Sequence, residues 1–289
     1  MHLRSLLVII VVIVAITTTA CTPTELESTP TTIAPTTTTS LPTDTPPCLS
    51  GELPFIEEGV VAALDSQGRD AQAIAGIRWH ALNGCERIEI EFLSVTGSPA
   101  SRIGPVGVSM LADTGIVRVT LSDAIIDSAV ADTTLNGVLL DGWFVVEGIA
   151  DGLAVDLHLA SRAAARAFTT TSPARLIIDL VPAQEDLPIA APASDGGIVL
   201  MSPQAGVGLY PLQITGYSAP GIDAVRIILS DSTGVFIDRS VSTLSPFHVW
   251  HAFDVGLADG PSDSVDLFVG TVTEDEDPAS GVEVPLDLP

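Results

Sequence analysis

Residues 87–92 read Arg-Ile-Glu-Ile-Glu-Phe and alternate charged and apolar side chains without a break. Successive side chains of a β-strand point to opposite faces, so Ile88, Ile90 and Phe92 share one face and the charged residues share the other. The pattern predicts a strand with its apolar face on a core, which is typical of an antiparallel sheet.

Strand patterns continue further along the chain. Residues 117–121 (VRVTL) repeat the alternation, and residues 175–181 (RLIIDLV) are more continuously apolar, which predicts a strand in the interior of a sheet. Residues 160–167 (ASRAAARA) are alanine-rich, and their short length predicts a connection with at most one helical turn. We therefore expect few helices here.

A hairpin is predicted around residues 151–152, because Asp-Gly is frequent in tight turns between strands. Its arms are residues 143–147 and 153–159. In the second arm apolar residues alternate with Asp156 and His158, so these two side chains are expected to face solvent.

The composition agrees with a β protein, because Val, Ile, Leu, Ala, Thr and Gly dominate it. The length of 289 residues allows about two domains once the N-terminal segments described below are set aside. We predict a mainly β fold with two β-sandwich domains in tandem, preceded by a signal peptide and a disordered Thr/Pro stalk.

The chain is strongly acidic, with a formal net charge of −25, and all of its basic side chains other than histidine are arginines. Binding to nucleic acid requires cations that neutralise phosphates, so this charge argues against a nucleic-acid partner. It favours solubility in an exposed setting, or a loose attraction for divalent cations and basic partners.

The N-terminus carries an export signal. Residues 6–16 are an unbroken apolar run, too short to span a bilayer comfortably but suited to the core of a signal peptide. Thr18 and Ala20 precede Cys21, and this arrangement resembles the lipobox of bacterial lipoproteins. The resemblance implies a signal peptide over residues 1–21 and a diacylated Cys21 that anchors the protein to the outer face of the cytoplasmic membrane. Ordinary secretion or an uncleaved anchor are the alternatives.

Residues 22–47 are almost wholly threonine, proline and small polar residues, which predicts a disordered spacer without a core. Three cysteines are an odd number for an exported protein. If Cys21 carries lipid, Cys48 and Cys85 remain to form a disulfide in an oxidising compartment. Two unpaired buried thiols are the alternative.

Three stretches carry a family resemblance. Residues 78–80 (RWH), 84–92 (GCERIEIEF) and 172–180 (SPARLIIDL) resemble the AMIN-like domain of bacterial envelope lipoproteins. The resemblance implies a β domain over residues 48–183, related to the domain that localises wall amidases to peptidoglycan. It brings no catalytic residues.

A candidate ligand-binding face is drawn from polar and aromatic residues of this domain, namely Trp79, Arg87, Glu89, Trp143, Arg175 and Asp179. The charged members are expected on the solvent side of two strands, with a tryptophan as a stacking platform. The alternative is that the charges form cross-strand ion pairs worth under about 1 kcal/mol each, and that Trp79 packs in the core.

A second domain follows a linker. Residues 184–195 are rich in proline, alanine and acidic residues, and residues 196–289 then show about seven short strand patterns at the spacing of a β-sandwich. Segments such as AVRIILSDSTG at residues 224–234 and DLFVGT at residues 266–271 resemble the immunoglobulin-like domain of bacterial spore-germination proteins. The resemblance implies a binding or spacing module.

Catalytic chemistry is not indicated. His248, His251 and Asp254 resemble a metal trio only briefly, because strand residues three apart point to opposite faces. The acidic residues 274–277 lack the spacing of a calcium hand, so weak cation binding or a solvated loop are their two interpretations. We predict no catalytic residues, no metal site and no cofactor.

The sequence thus predicts a non-catalytic lipoprotein of the cell envelope, bound to the membrane through its lipid and in contact with peptidoglycan or a wall-associated protein. An assembly or structural subunit that binds only proteins is the first alternative. An unrecognised hydrolase with convergent acid and base residues is the second.

Overall fold

The computed structural model describes residues 47–65, 68–149, 152–185, 187–243, 248–275 and 277–289. The predicted signal peptide, Cys21 and all but the last residue of the stalk lie outside them, as do residues 150–151 of the hairpin turn and Glu276 of the acidic loop. The described chain is mainly β, with two short 3₁₀ turns at Pro47–Leu49 and Ala112–Thr114 and no α-helix. Within it, no helix has the length and apolar character that a membrane crossing requires.

Eleven strands belong to the first half of the described chain: β1 (Gly59–Leu64), β2 (Ala71–Leu82), β3 (Cys85–Ser94), β4 (Val106–Leu111), β5 (Ile116–Leu121), β6 (Asp127–Ser128), β7 (Asp132–Thr134), β8 (Leu140–Glu147), β9 (Ala154–Leu159), β10 (Ala163–Thr170) and β11 (Arg175–Pro182). Nine follow in the second half: β12 (Ala193–Asp195), β13 (Ile198–Ser202), β14 (Gly206–Val207), β15 (Leu212–Ser218), β16 (Ala224–Asp231), β17 (Gly234–Ser242), β18 (Trp250–Leu257), β19 (Ser264–Val272) and β20 (Pro278–Asp287).

The strands form two sandwiches that share one sheet. A ten-stranded sheet runs in the order β1-β4-β5-β9-β8-β18-β15-β13-β12, and β7 pairs with β8 outside this path. A five-stranded sheet, β10-β11-β3-β2-β6, covers the first half of it, and a second five-stranded sheet, β14-β20-β19-β16-β17, covers the other half. The predicted β-sandwich fold class is therefore confirmed.

The alternating patterns place the expected side chains in the cores. Ile88, Ile90 and Phe92 of β3 are buried in the core of the first sandwich, opposite Val117 and Val119 of β5. Burial of each such side chain stabilises the fold by about 1.5–3 kcal/mol. In the second sandwich the alternating apolar residues of β16 and β19 are buried in the same way. A turn at residues 231–234 connects β16 to β17.

One prediction of secondary structure is wrong. Residues 160–167 were expected to form a connection, but Ala163–Thr170 is strand β10, paired antiparallel with β11 along its whole length. Ala163, Ala165 and Ala167 face the core of the first sandwich, and Ile56 forms an antiparallel bridge with Ala165 on the other edge of β10. Pairing with β10 on one side and β3 on the other makes β11 an interior strand, which agrees with its continuous apolar sequence.

The shared sheet bends sharply where the two sandwiches meet. The join between β8 and β18 is parallel and consists of two residue pairs, Val146 with Trp250 and Glu147 with His251. In a flat sheet β9 and β15, three strands apart in the order, would lie ~14 Å from each other. Yet Tyr217 of β15 contacts Asp156 of β9 directly, so the sheet folds back on itself and encloses a concave face.

Candidate binding cleft

The predicted ligand face is divided between two places. Arg87, Glu89, Arg175 and Asp179 lie together on the outer side of β3 and β11, where Asp179 is opposite Arg87. The two tryptophans do not join them. Trp79 packs against the core of the first sandwich, and Trp143 is 4 % exposed inside that core on the facing sheet. Neither tryptophan offers a platform beside these charges.

Asp179 was expected on an exposed face but is fully buried, which corrects the prediction. Its carboxylate accepts two hydrogen bonds from Arg87, at 2.7 and 3.0 Å, and two from Arg166, at 3.1 and 3.0 Å. These hydrogen bonds raise the pKa of Arg87 above its ordinary value, against the effect of burial. Arg166 also donates to the carbonyls of Cys48 and Ser50, so the N-terminal segment covers this end of the face.

The remaining charges of this face are engaged with one another. Arg175 contacts Glu89 at 3.2 Å and Glu91 at 3.0 Å, and Arg78 contacts Glu91 at 2.9 Å. The arrangement agrees with the cross-strand ion pairs given above as the alternative to a ligand-binding face. None of these residues lines the cleft described below.

Glu86 precedes this face in sequence and has a structural role. Its carboxylate accepts a hydrogen bond from Trp79 Nε1 at 2.9 Å and from the backbone N–H groups of Val138, Leu139 and Leu140 at 2.7–3.1 Å. The two neighbouring residues thus act on opposite sides of β3, since Glu86 holds the loop at residues 138–140 and Arg87 holds Asp179. The predicted disulfide between Cys48 and Cys85 is confirmed beside them.

A second buried charge connects the two sandwiches. Asp156 was expected to face solvent but is fully buried, because β15 folds over it. Arg118 of β5 donates to both of its oxygens, at 2.8 and 2.7 Å, and Tyr217 donates a further hydrogen bond to Oδ2. Burial alone would lower the pKa of Arg118, but Asp156 more than offsets this and raises it above its ordinary value. Burial and Asp156 raise the pKa of Tyr217.

Aromatic rings surround this contact. Phe144 packs edge-on against Trp250, with ring centroids 4.8 Å apart, and lies 4.7 Å from the His158 ring. Trp250 Nε1 donates to Asp132 at 2.6 Å, which adds another polar link between the sandwiches. His158 was also expected to face solvent, but burial lowers its pKa to about 4, so it is neutral in the folded protein near pH 7.

The predicted linker is attached to the fold rather than separate from it. Ile189 packs on the first core, and Ala190 N–H donates to the carbonyl of Asp113. Gln204 donates to the carbonyl of Ala190 from the other side, and the last residues of the linker form β12. These contacts, with the shared sheet, fix the geometry of the concave face between the sandwiches.

That concave face is a cleft of about 700 Å³. Its apolar wall includes the half-buried side chains of Leu111, Ile149 and Met201, which come from both sandwiches. Its polar groups include Arg118 and Tyr217 at the interdomain contact and the carboxylates of Glu58, Asp113 and Asp254. A volume between about 300 and 1,000 Å³ at a domain interface is typical of sites for small ligands.

Sequence reasoning did not find this cleft. Among the polar residues of the cleft, the sequence pattern singled out only Asp254, as part of a possible metal trio. The structure places Asp254 in the cleft, whereas His251 lies 3.7 Å from Glu147. Arg118, Asp113 and Tyr217 stand in unremarkable strand and turn patterns. Comparison of the chain with protein-family models, curated proteins and solved structures finds no match.

Proposed function

We propose that this protein is a non-catalytic binding and scaffolding protein of the cell envelope, and that its cleft holds part of the peptidoglycan or of a wall-associated protein. The leader and Cys21 support a lipid anchor on the outer face of the cytoplasmic membrane. The disulfide supports an oxidising compartment, because such bonds are rare in the cytosol.

The observation that carries the proposal is a preformed cleft between two sandwiches held in one sheet. Buried contacts between the two sandwiches, Arg118–Asp156–Tyr217 and Phe144–Trp250, fix the walls of the cleft before any ligand arrives. A rigid site loses less conformational freedom on binding, so a modest contact area can give useful affinity. This is the geometry of a recognition module.

The test is retention of the protein on purified wall sacculi. Residues 44–289 form one compact unit, so a fragment that begins at Asp44 carries both sandwiches. Thr215→Trp places a bulky side chain in the cleft and should abolish retention, whereas Thr170→Trp, on the exposed end of β10, should not. Retention no better than that of an unrelated acidic protein would refute the proposed wall contact.

A further inference from the structure

We infer that the cleft binds a basic segment of a protein, with a backbone carbonyl held by Arg118 and a cationic side chain held by Asp113 or Asp254. The inference rests on the proposed function and specifies the ligand of the same cleft. Three observations carry it: the donor that Arg118 leaves unused, the charge of the cleft, and the character of its wall.

Arg118 offers a hydrogen-bond donor to the cleft. Its Nε and Nη2 are occupied by Asp156 and Tyr217, but no described residue accepts a hydrogen bond from Nη1. The side chain is 24 % exposed, and Nη1 is not among the buried polar atoms that lack a partner. The opposite edge of the guanidinium is fixed by a carboxylate, so Nη1 is a rigid donor for a carbonyl oxygen.

The charge of the cleft favours a cationic ligand. Glu58, Asp113 and Asp254 line it, and none of them forms an ion pair with a described residue. The charge of Arg118, the one cationic side chain among the described lining residues, is already compensated by Asp156. The cleft therefore carries an excess of negative charge within a chain of net charge −25, which attracts cations and repels polyanions.

The wall of the cleft suits an alkyl chain that ends in a charge. Leu111, Ile149 and Met201, which are half-buried, present aliphatic and thioether surface, and methionine adapts its shape to irregular partners. A lysine or arginine side chain buries its methylene groups against such a surface while its head group reaches the carboxylates. A backbone carbonyl of the same segment then meets Nη1 of Arg118.

The experiment titrates the full-length protein with three acetylated and amidated pentapeptides, Ala-Ala-Xaa-Ala-Ala, in which Xaa is lysine, norleucine or glutamate. Norleucine keeps the alkyl chain without the charge, and glutamate reverses the charge. We expect the lysine peptide to bind at least about tenfold more tightly than the norleucine peptide, which corresponds to about 1.4 kcal/mol, and the glutamate peptide not to bind. Added salt should weaken the lysine complex.

Two double variants with the same net charge distinguish binding at the cleft from the general electrostatic attraction of an acidic protein. Asp113→Asn with Asp254→Asn removes two carboxylates from the cleft. Asp266→Asn with Glu283→Gln removes two from β19 and β20, which belong to the five-stranded sheet of the second sandwich, away from the cleft. The first pair should remove the preference for lysine over norleucine, and the second should leave it unchanged. Both pairs alter exposed or half-buried residues, so neither should prevent folding.

Several results would overturn the inference. Equal binding of the three peptides, an equal loss in both variant pairs, or no peptide binding at all would each do so. Tighter binding of an N-acetylglucosamine oligomer than of the lysine peptide would assign the cleft to a glycan. If the protein is still retained on sacculi in these cases, the proposed function stands and only the basic segment is excluded; loss of both would refute the two together.

Discussion

Tyr217 of the second sandwich donates a hydrogen bond to Asp156 of the first, and this carboxylate is fully buried. Buried charges are tolerated when they are paired and hydrogen-bonded. Arg118 of the same sandwich supplies the ion pair of Asp156, and the hydrogen bond from Tyr217 forms only when the two sandwiches are joined. The contact therefore couples the stability of the first sandwich to the position of the second.

Tyr217→Phe should destabilise the protein by about 1.5–3 kcal/mol, because a fully buried carboxylate loses one of its hydrogen-bond donors. The free energy of unfolding in urea measures this. Tyr210→Phe is the matched control, since the Tyr210 hydroxyl donates only to the carbonyl of Pro261 and is half-buried, and it should cost under about 1 kcal/mol. Equal losses in the two variants would contradict the special role of Tyr217.

Asp179→Asn should cost about 3–5 kcal/mol, because two partly or fully buried guanidinium groups, Arg87 and Arg166, would lose their counter-charge. Denaturant titration measures this loss as well. Asp238→Asn provides the comparison, because Asp238 makes a similar two-pronged contact with Arg226 on an exposed strand, and it should change stability by under about 1 kcal/mol. A loss at Asp179 as small as at Asp238 would show that the buried cluster is unimportant.

His158 should make the protein less stable as the pH falls from 6.5 to about 4. Its pKa is lowered from 6.5 to about 4 in the folded state, so in this window the unfolded chain binds a proton that the folded protein refuses. The stabilisation is complete above pH 6.5 and amounts to about 3 kcal/mol. His158→Gln should flatten the pH dependence of unfolding by this amount, and an unchanged pH profile would refute the assignment.

Loss of the Cys48–Cys85 disulfide should destabilise the fold by about 4 kcal/mol, since it closes a loop with a sequence separation of 37 residues. Cys48→Ser with Cys85→Ser can be compared with the parent protein under oxidising and reducing conditions. Reducing agent should weaken the parent to the level of the double variant and leave the variant unchanged. A reductant effect that persists in the variant would point to another cause.

Periodicity predicted the cores well because it depends only on neighbouring residues. The alternation in residues 87–92 and the Asp-Gly signal at residues 151–152 are local, and the strands that they predict are present with the expected buried faces. The same rule failed at Asp156 and His158. Alternation separates the two sides of a strand, but it cannot say that a second sandwich will cover the outer side.

For the charged residues, too, the sequence predicted the face of the strand but not the burial. That Arg87 and Asp179 share a face followed from the strand pattern, but the burial of Asp179 depends on Arg166, whose strand was interpreted as a connection. Alanine-rich stretches carry little strand signal, because alanine favours helices and is depleted in strands. The cleft was beyond prediction, since it is formed by a bend between strands more than 100 residues apart.

The disulfide also determines how the protein would respond to tension. Cys85 begins β3, which lies between β11 and β2 inside its sheet. A pull on the chain ahead of Cys48 would therefore enter an interior strand and have to shear two ladders of hydrogen bonds at once. Without the crosslink the same load would break the isolated Ile56–Ala165 bridge, reach the edge strand β1 and peel it from β4 one bond at a time.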